Sequence, residues 1–206
     1  LAEDSTISIF NEALRLTGLC DSLRQYIDPT YSCGEDSVNQ DMVISTGGSS
    51  YTMRYVGTRM KRYTAFVETD EVYAANGIYD LDGLKAHAKQ VYDQMYPKDA
   101  GLYDDDWTNR KNPLNRFISY HLLPYYGAYN DWTVSGDIKN TCAKTDLIDC
   151  TDWYTTMLQG TIMKMSTPSG GLFINRKGVG VRYTVRGTKV LSPSEIGDVD
   201  QQALNG

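Results

Sequence analysis

Histidine is nearly absent from this sequence, with only His87 and His121 in 206 residues. A Ser-His-Asp hydrolase would have to recruit one of the two, and no Gly-x-Ser-x-Gly elbow is present to seat the nucleophile. The four cysteines, at positions 20, 33, 142 and 150, include no close-set Cys-x-x-Cys pair of the kind a zinc site or a thioredoxin-like centre requires. Nowhere does an apolar run approach the roughly 18 residues of a membrane span. Basic residues are in deficit, 20 Lys and Arg against 26 Asp and Glu, for a net charge of -6. That is the wrong sign for neutralising a phosphate backbone, so nucleic acid is not an expected partner. Internal repeats and low-complexity linkers are absent as well.

What the chain does have is tyrosine, 16 residues of it against only four phenylalanines. Tyr-rich surfaces tend to bind things, because the ring is apolar and the hydroxyl is not. The length suits one core carrying insertions, and a 41% hydrophobic content is enough to build that core. Two local disulfides, Cys20/Cys33 and Cys142/Cys150, are open alternatives to four reduced thiols. The second closes a polar segment, TCAKTDLIDC, with a loop-closure value of about 2.5 kcal/mol. Either bridge implies an oxidising compartment. The chain begins at Leu1 with no apolar signal region, which reads as a processed or recombinant segment.

Phe10, Ala13, Leu14 and Thr17 follow helical spacing, with Gly18 as a stop before Leu19 and Leu23 resume, which predicts two short helices. Met42-Val43-Ile44 and the run from Tyr51 to Val56 flank Thr46-Gly47-Gly48-Ser49 as a hairpin. Arg62 to Thr69 reads as a strand, and Asp70 as the cap of a short helix ending at Asn76-Gly77. A longer helix is expected from Asp82 to Tyr96, with Leu84, Ala88, Val91, Tyr92 and Met95 on one face. Asn112-Pro113 starts another, its face running through Leu114, Phe117, Ile118, His121 and Leu122 until Pro124. Beyond Trp153 the chain reads as strands: 154–158, 161–165, 172–175 and 179–185, with Gly178-Val179-Gly180 as a hairpin turn. Helices first and strands last predict an antiparallel α+β domain.

Few residues point to chemistry. His121 falls on an apolar stripe and reads as a buried, hydrogen-bonded core histidine, while His87 lies off its stripe and reads as solvated. The acidic loop KDAGLYDDDW lacks the alternating spacing of a calcium loop and reads as a solvated insertion tip. A carboxylate pair such as Asp105 and Asp131 is imaginable as a hydrolase, but no spacing selects it, so no catalytic residue, metal or cofactor is expected. The clearest surface candidate is YHLLPYYGAYNDW, which offers Tyr125, Tyr126, Tyr129 and Trp132 beside Asn130. Flat rings with polar neighbours suit the apolar faces and hydroxyls of sugars; equally, they can cover the end of a helix.

The order of these segments resembles the fasciclin domain. The opening SIFNEALRLTGLCDSL is similar to that family's first helices. YTAFVETDEVY is similar to its first signature at Thr64, Phe66, Thr69, Asp70, Glu71 and Tyr73, with Val67-Glu68 in place of the usual Ala-Pro. LNRFISYHLL carries a Tyr-His pair at Tyr120-His121, and YTTMLQGTIMKMS a Thr-Leu-x-Gly hairpin at Thr156, Leu158 and Gly160. GLFINRKGVGVR matches the two strands that follow. The resemblance implies one domain over 1–206, a β-sandwich wedge of antiparallel strands with helices along it and insertions at about 28–60 and 79–111. It further implies a non-enzymatic adhesion or ligand-binding module of a bacterial secreted, lipoprotein-type or surface protein, outside the cytoplasm, that meets a glycan or another surface protein. A purely structural spacer is the alternative. The family's second signature would begin at Asn205-Gly206, so the resemblance also implies an open sheet edge able to pair between copies and a further domain after Gly206.

Overall fold

Apolar residues three and four apart set the helices, and most of the strands run antiparallel beyond them. The computed structural model describes residues 5–32, 41–46, 49–54, 57–127, 132, 151–166, 171–176, 187–192 and 195. After a short 3-10 turn, Ser5–Ile7, come α1 (Ser8–Leu16) and α2 (Leu19–Arg24), then the strands β1 (Asp41–Thr46), β2 (Ser49–Arg54) and β3 (Thr64–Ala65). Helices α3 (Asp70–Ala75), α4 (Leu81–Met95) and α5 (Pro113–Tyr120) follow, then β4 (Leu122–Leu123), β5 (Thr151–Thr155), β6 (Ile162–Ser166), β7 (Leu172–Ile174) and β8 (Thr188–Val190). The class is mixed α+β. The strands pair antiparallel as a β1-β2 hairpin, a β3-β4 pair and a four-stranded sheet in the order β5-β6-β7-β8.

The stop between the first two helices is a backbone requirement. Gly18 sits at φ 68, a left-handed conformation in which a side chain is strained. α1 then buries Ile9, Phe10, Ala13 and Leu14. α5 starts as its sequence suggests: the Asn112 side chain accepts from the N–H groups of Leu114 (2.9 Å) and Asn115 (3.2 Å), with Pro113 at the first position. The same amide donates to the carbonyls of Tyr103 (2.7 Å) and Asp104 (3.1 Å), so this fully buried side chain is satisfied at both ends. α4 lies in the stretch read as an insertion, yet it contributes Leu84 and Ala88 to the main helical core.

Several expectations are corrected. α5 ends at Tyr120, with His121 as its C-cap, and Leu122 lies in a strand instead of continuing the helix. Pro124 explains this, since it biases the preceding residue toward extended backbone. The strand expected over 62–69 shortens to Thr64–Ala65 because its partner β4 is only two residues long, although the Phe66 N–H still donates to the His121 carbonyl (3.0 Å). Met95, expected on the buried face of α4, is exposed. The acidic loop is exposed at Asp105 and Asp106, as expected, but it is also tied down. Asp99 pairs with Arg116 (2.5 Å) and Lys111 (3.2 Å), Asp104 pairs with Lys89 (2.6 Å), and Asp106 accepts from Thr108 and Asn109. Cys20 is a free thiol packed beside the helical core, so it does not bridge to Cys33. Cys33, Cys142, Cys150 and the strand and turn expected over 178–185 lie outside the described residues. β8, in contrast, had no counterpart in the sequence reading.

Two apolar clusters result. One is helical and gathers Phe10, Leu19, Tyr73, Leu84, Leu114, Ile118 and Leu122. The other gathers Leu123, Trp132, Met163, Met165 and Leu172 under the four-stranded sheet. Strand alternation at β4 sends Leu122 to the first and Leu123 to the second.

Candidate functional site

Several of the residues that carry the family resemblance make ties, some of them along the seam between the clusters. Thr69 caps α3, its hydroxyl accepting from the Val72 N–H. Asp70, expected to cap that helix, instead serves α1: its carboxylate accepts from the N–H groups of Ser8 (2.9 Å) and Ile9 (3.0 Å) and from the Ser8 hydroxyl. α1 has no side-chain cap of its own, so a carboxylate from another helix neutralises its positive end. The Thr64 hydroxyl donates to the Tyr125 carbonyl (2.9 Å) and accepts from the Gly127 N–H (3.0 Å), clamping the chain after β4. Tyr120 reaches the sheet, where its hydroxyl accepts from the Asn175 amide (2.9 Å).

His121 is half-buried, and its Nδ1–H donates to the Phe117 carbonyl (2.8 Å). The rings of Phe10, Phe117 and Tyr120 surround it at centroid distances of 6.1, 4.6 and 6.2 Å. Burial holds its pKa below the ordinary histidine value, with the Phe117 hydrogen bond and Glu68 opposing. His87 is exposed and meets the edge of Phe117.

The aromatic segment divides. Trp132, read as a surface platform, is only 7% exposed and belongs to the second cluster. Its indole N–H donates to the Gly127 carbonyl (2.9 Å), and its ring crosses Gly127 so closely that a Cβ there would fall inside the indole. Tyr154 meets it edge-on at 4.6 Å, with Tyr125 and Phe66 each at 6.2 Å. Tyr125 donates its hydroxyl to the Thr155 carbonyl (2.9 Å), and burial raises its pKa. Tyr126 is 39% exposed, with the Arg62 guanidinium 5.6 Å from its ring centre. Tyr129 and Asn130 lie outside the described residues.

A second exposed ring was not singled out from the sequence. Period-two alternation along β5 turns Tyr154 toward the buried cluster and Trp153 to the opposite face, where it is 60% exposed. Lys164 stands directly opposite on β6 with Nζ 5.9 Å from the ring centre, and Ile162 on the same face is also exposed. The signal was present as Asp-Trp-Tyr-Thr entering a strand, since neighbouring strand residues cannot both be buried against one core.

Among the described residues, no group of three or more His, Cys, Asp or Glu is placed to hold a metal ion, and no helix is long and apolar enough to cross a membrane. No protein-family model, curated protein or solved structure matches the chain.

Proposed function

We propose that this chain is a fasciclin-type, non-enzymatic adhesion or ligand-binding module of an extracytoplasmic protein, and that it meets a glycan or another surface protein through the outer face of its four-stranded sheet. The observation that carries the reading is Trp153, a large ring left 60% exposed on a rigid strand beside Lys164. An indole face flanked by a cation and the Thr155 side chain can cover the apolar face of a sugar and hydrogen-bond its hydroxyls. Tyr126 and Arg62 offer the same pairing of ring and cation. The fasciclin assignment rests on the ordered sequence blocks, and the seam residues Thr64, Phe66, Thr69, Asp70, Tyr120 and His121 enter it as structural ties, not as contact residues.

A polysaccharide and glycan binding screen on the purified chain, with Trp153→Ala and Tyr126→Ala alongside, tests it. Binding that disappears in a folded Trp153→Ala protein supports the reading. Binding that survives both substitutions removes these rings from it. The burial of Trp132 and Tyr154 favours a second reading, a structural spacer whose tyrosines cover its own core. On that reading the folded chain binds nothing in the screen, and only the buried rings matter to it.

A further inference from the structure

A cleft of about 430 Å³ opens where the end of α4, the start of α5 and the 157–159 turn meet. Its walls carry Arg110, Lys111 and Arg116, with Tyr96, Ser119 and Gln159 beside them. On a chain of net charge -6, this is a local concentration of cations.

The carboxylate between them is Asp99, which ion-pairs with Arg116 (2.5 Å) and Lys111 (3.2 Å). Two of the three cations thus share one anion. The neighbouring Asp104 pairs with Lys89, which Asp93 also engages. Arg116 is already fixed in place: its side chain is 7% exposed, and its guanidinium stands 3.8 Å from the centre of the Tyr96 ring. Arg110 is exposed and makes only long contacts, to Ser22 (3.4 Å) and Asn115 (3.5 Å), with no ion pair among the described residues. A preset guanidinium, a half-engaged ammonium and an uncommitted arginine at one opening match the planar, multidentate geometry of an oxyanion.

The opposite wall is equally well fixed. The Met157 N–H donates to the Leu122 carbonyl (2.8 Å), anchoring the turn to the seam. Thr156 and Thr161 lock it from inside, Thr156 accepting from the Leu158 N–H (3.2 Å) and Thr161 donating to the Leu158 carbonyl (2.8 Å). Gln159 is therefore presented from a rigid loop as a neutral donor and acceptor, with Met157 and Leu158 forming apolar wall below it. The volume falls within the range of about 300–1,000 Å³ usual for small-molecule sites.

We infer that this cleft binds a small anionic ligand through a carboxylate, sulfate or phosphate group held by Arg110, Lys111 and Arg116. Gln159 and Ser119 then contact neutral parts of the same molecule. The site is separate from the sheet face that holds Trp153 and does not depend on it.

Calorimetric titrations of the full chain at low salt with glucuronate, inorganic sulfate and inorganic phosphate test the inference. Saturable binding is expected for at least one probe, weakened at least tenfold in Arg110→Gln and in Lys111→Gln. Both side chains are at the surface, so both variants keep the wild-type melting curve. Lys85→Gln, at the far end of α4 from Tyr96, leaves binding unchanged. Binding of glucuronate alone assigns the site to an acidic sugar, and binding of sulfate or phosphate assigns it to the oxyanion itself. The inference is overturned by the absence of saturable binding with all three probes, or by binding that is equal in wild type and both glutamine variants.

Discussion

Leu122 and Leu123 are neighbours in the chain and both fully buried, yet they enter cores built of different material. The helical core is mostly aliphatic and is tied by polar side chains that are themselves buried: Asn112, Asn115 and Arg116. The sheet core is a set of aromatic edges and methionines, Trp132, Tyr154, Tyr125, Met163 and Met165, with Thr156, Ser166 and Arg176 buried on or beside its strands. Helices leave unpaired N–H and C=O groups at their ends that buried amides and carboxylates can satisfy, whereas strands satisfy one another laterally. The first core therefore draws on buried side-chain bonds at helix ends, and the second relies more on the fit of ring edges. Substitutions that remove bulk act on both cores, and substitutions that remove a polar anchor are expected to act most on the first.

The largest effects are expected from bulk. Phe10→Ala and Trp132→Ala should each cost about 3–5 kcal/mol in urea or guanidinium unfolding. Hydrogen exchange then separates the two, because Phe10→Ala should accelerate amides in α1 and α5, and Trp132→Ala those in β5 and β6. Exchange that rises uniformly in both variants breaks the comparison and makes the clusters one cooperative unit.

Next in size is Asn115, a fully buried amide that donates to the carbonyls of Thr17 (3.1 Å) and Trp107 (3.0 Å) and so ties α5 to the end of α1 and to the preceding loop. Asn115→Ala leaves both carbonyls without a partner and is expected to cost about 2–3 kcal/mol. Asn115→Asp, which keeps the size but removes the donors, should do no better. Full stability in the alanine variant would mean that the polar anchors of the helical core are dispensable.

What was legible in the sequence divides along the same line. The break at Gly18, the Asn112-Pro113 start and the buried face of α4 at Leu84 and Ala88 are local signals, set by neighbours three or four residues away. The β1-β2 hairpin was legible for the same reason, with Thr46 paired to Ser49 across a two-residue connection. Illegible were the partnerships made at a distance. Asp70 reads as a cap for its own helix because nothing near it in sequence reveals that the start of α1, some sixty residues earlier, lacks one. Trp132 reads as exposed because Gly127, whose missing side chain makes room for the indole, looks like an ordinary turn glycine. In the candidate site, the ring types were read from the sequence but their exposure was assigned to the wrong tryptophan. Its companion, the basic cleft, joins three separate segments between residues 96 and 159 and has no contiguous motif.

A smaller effect follows from His121 at the seam. Burial lowers its pKa, so just below the ordinary histidine value of about 6.5 the unfolded chain binds more protons than the folded one. Stability should be full above that pH and fall as pH drops toward the lowered folded value. His121→Gln should remove this portion of the slope, as read from urea midpoints at pH 7.5, 6.5 and 5.5. Carboxylates with lowered pKa values, such as Asp99 and Glu195, lose their contribution only at more acidic pH and do not confuse the window. Equal slopes in wild type and variant would place the imidazole in contact with water on both sides of folding.

The smallest expected change sharpens the comparison most. Trp153 and Trp132 are the same residue type attached to the same half of the molecule, and they differ in the face of the sheet they occupy. Trp153→Ala removes a ring that stands 60% exposed opposite Lys164, so the loss is chiefly one exposed cross-strand contact, about 0.5 kcal/mol or less. A stability change of that size, set beside the several kcal/mol of Trp132→Ala, would identify Trp153 as a large apolar side chain that folding does not require. A cost above about 2 kcal/mol would instead place its ring under other protein groups. The sheet would then have two buried faces, and the exposed-ring argument for a binding surface would fall with it.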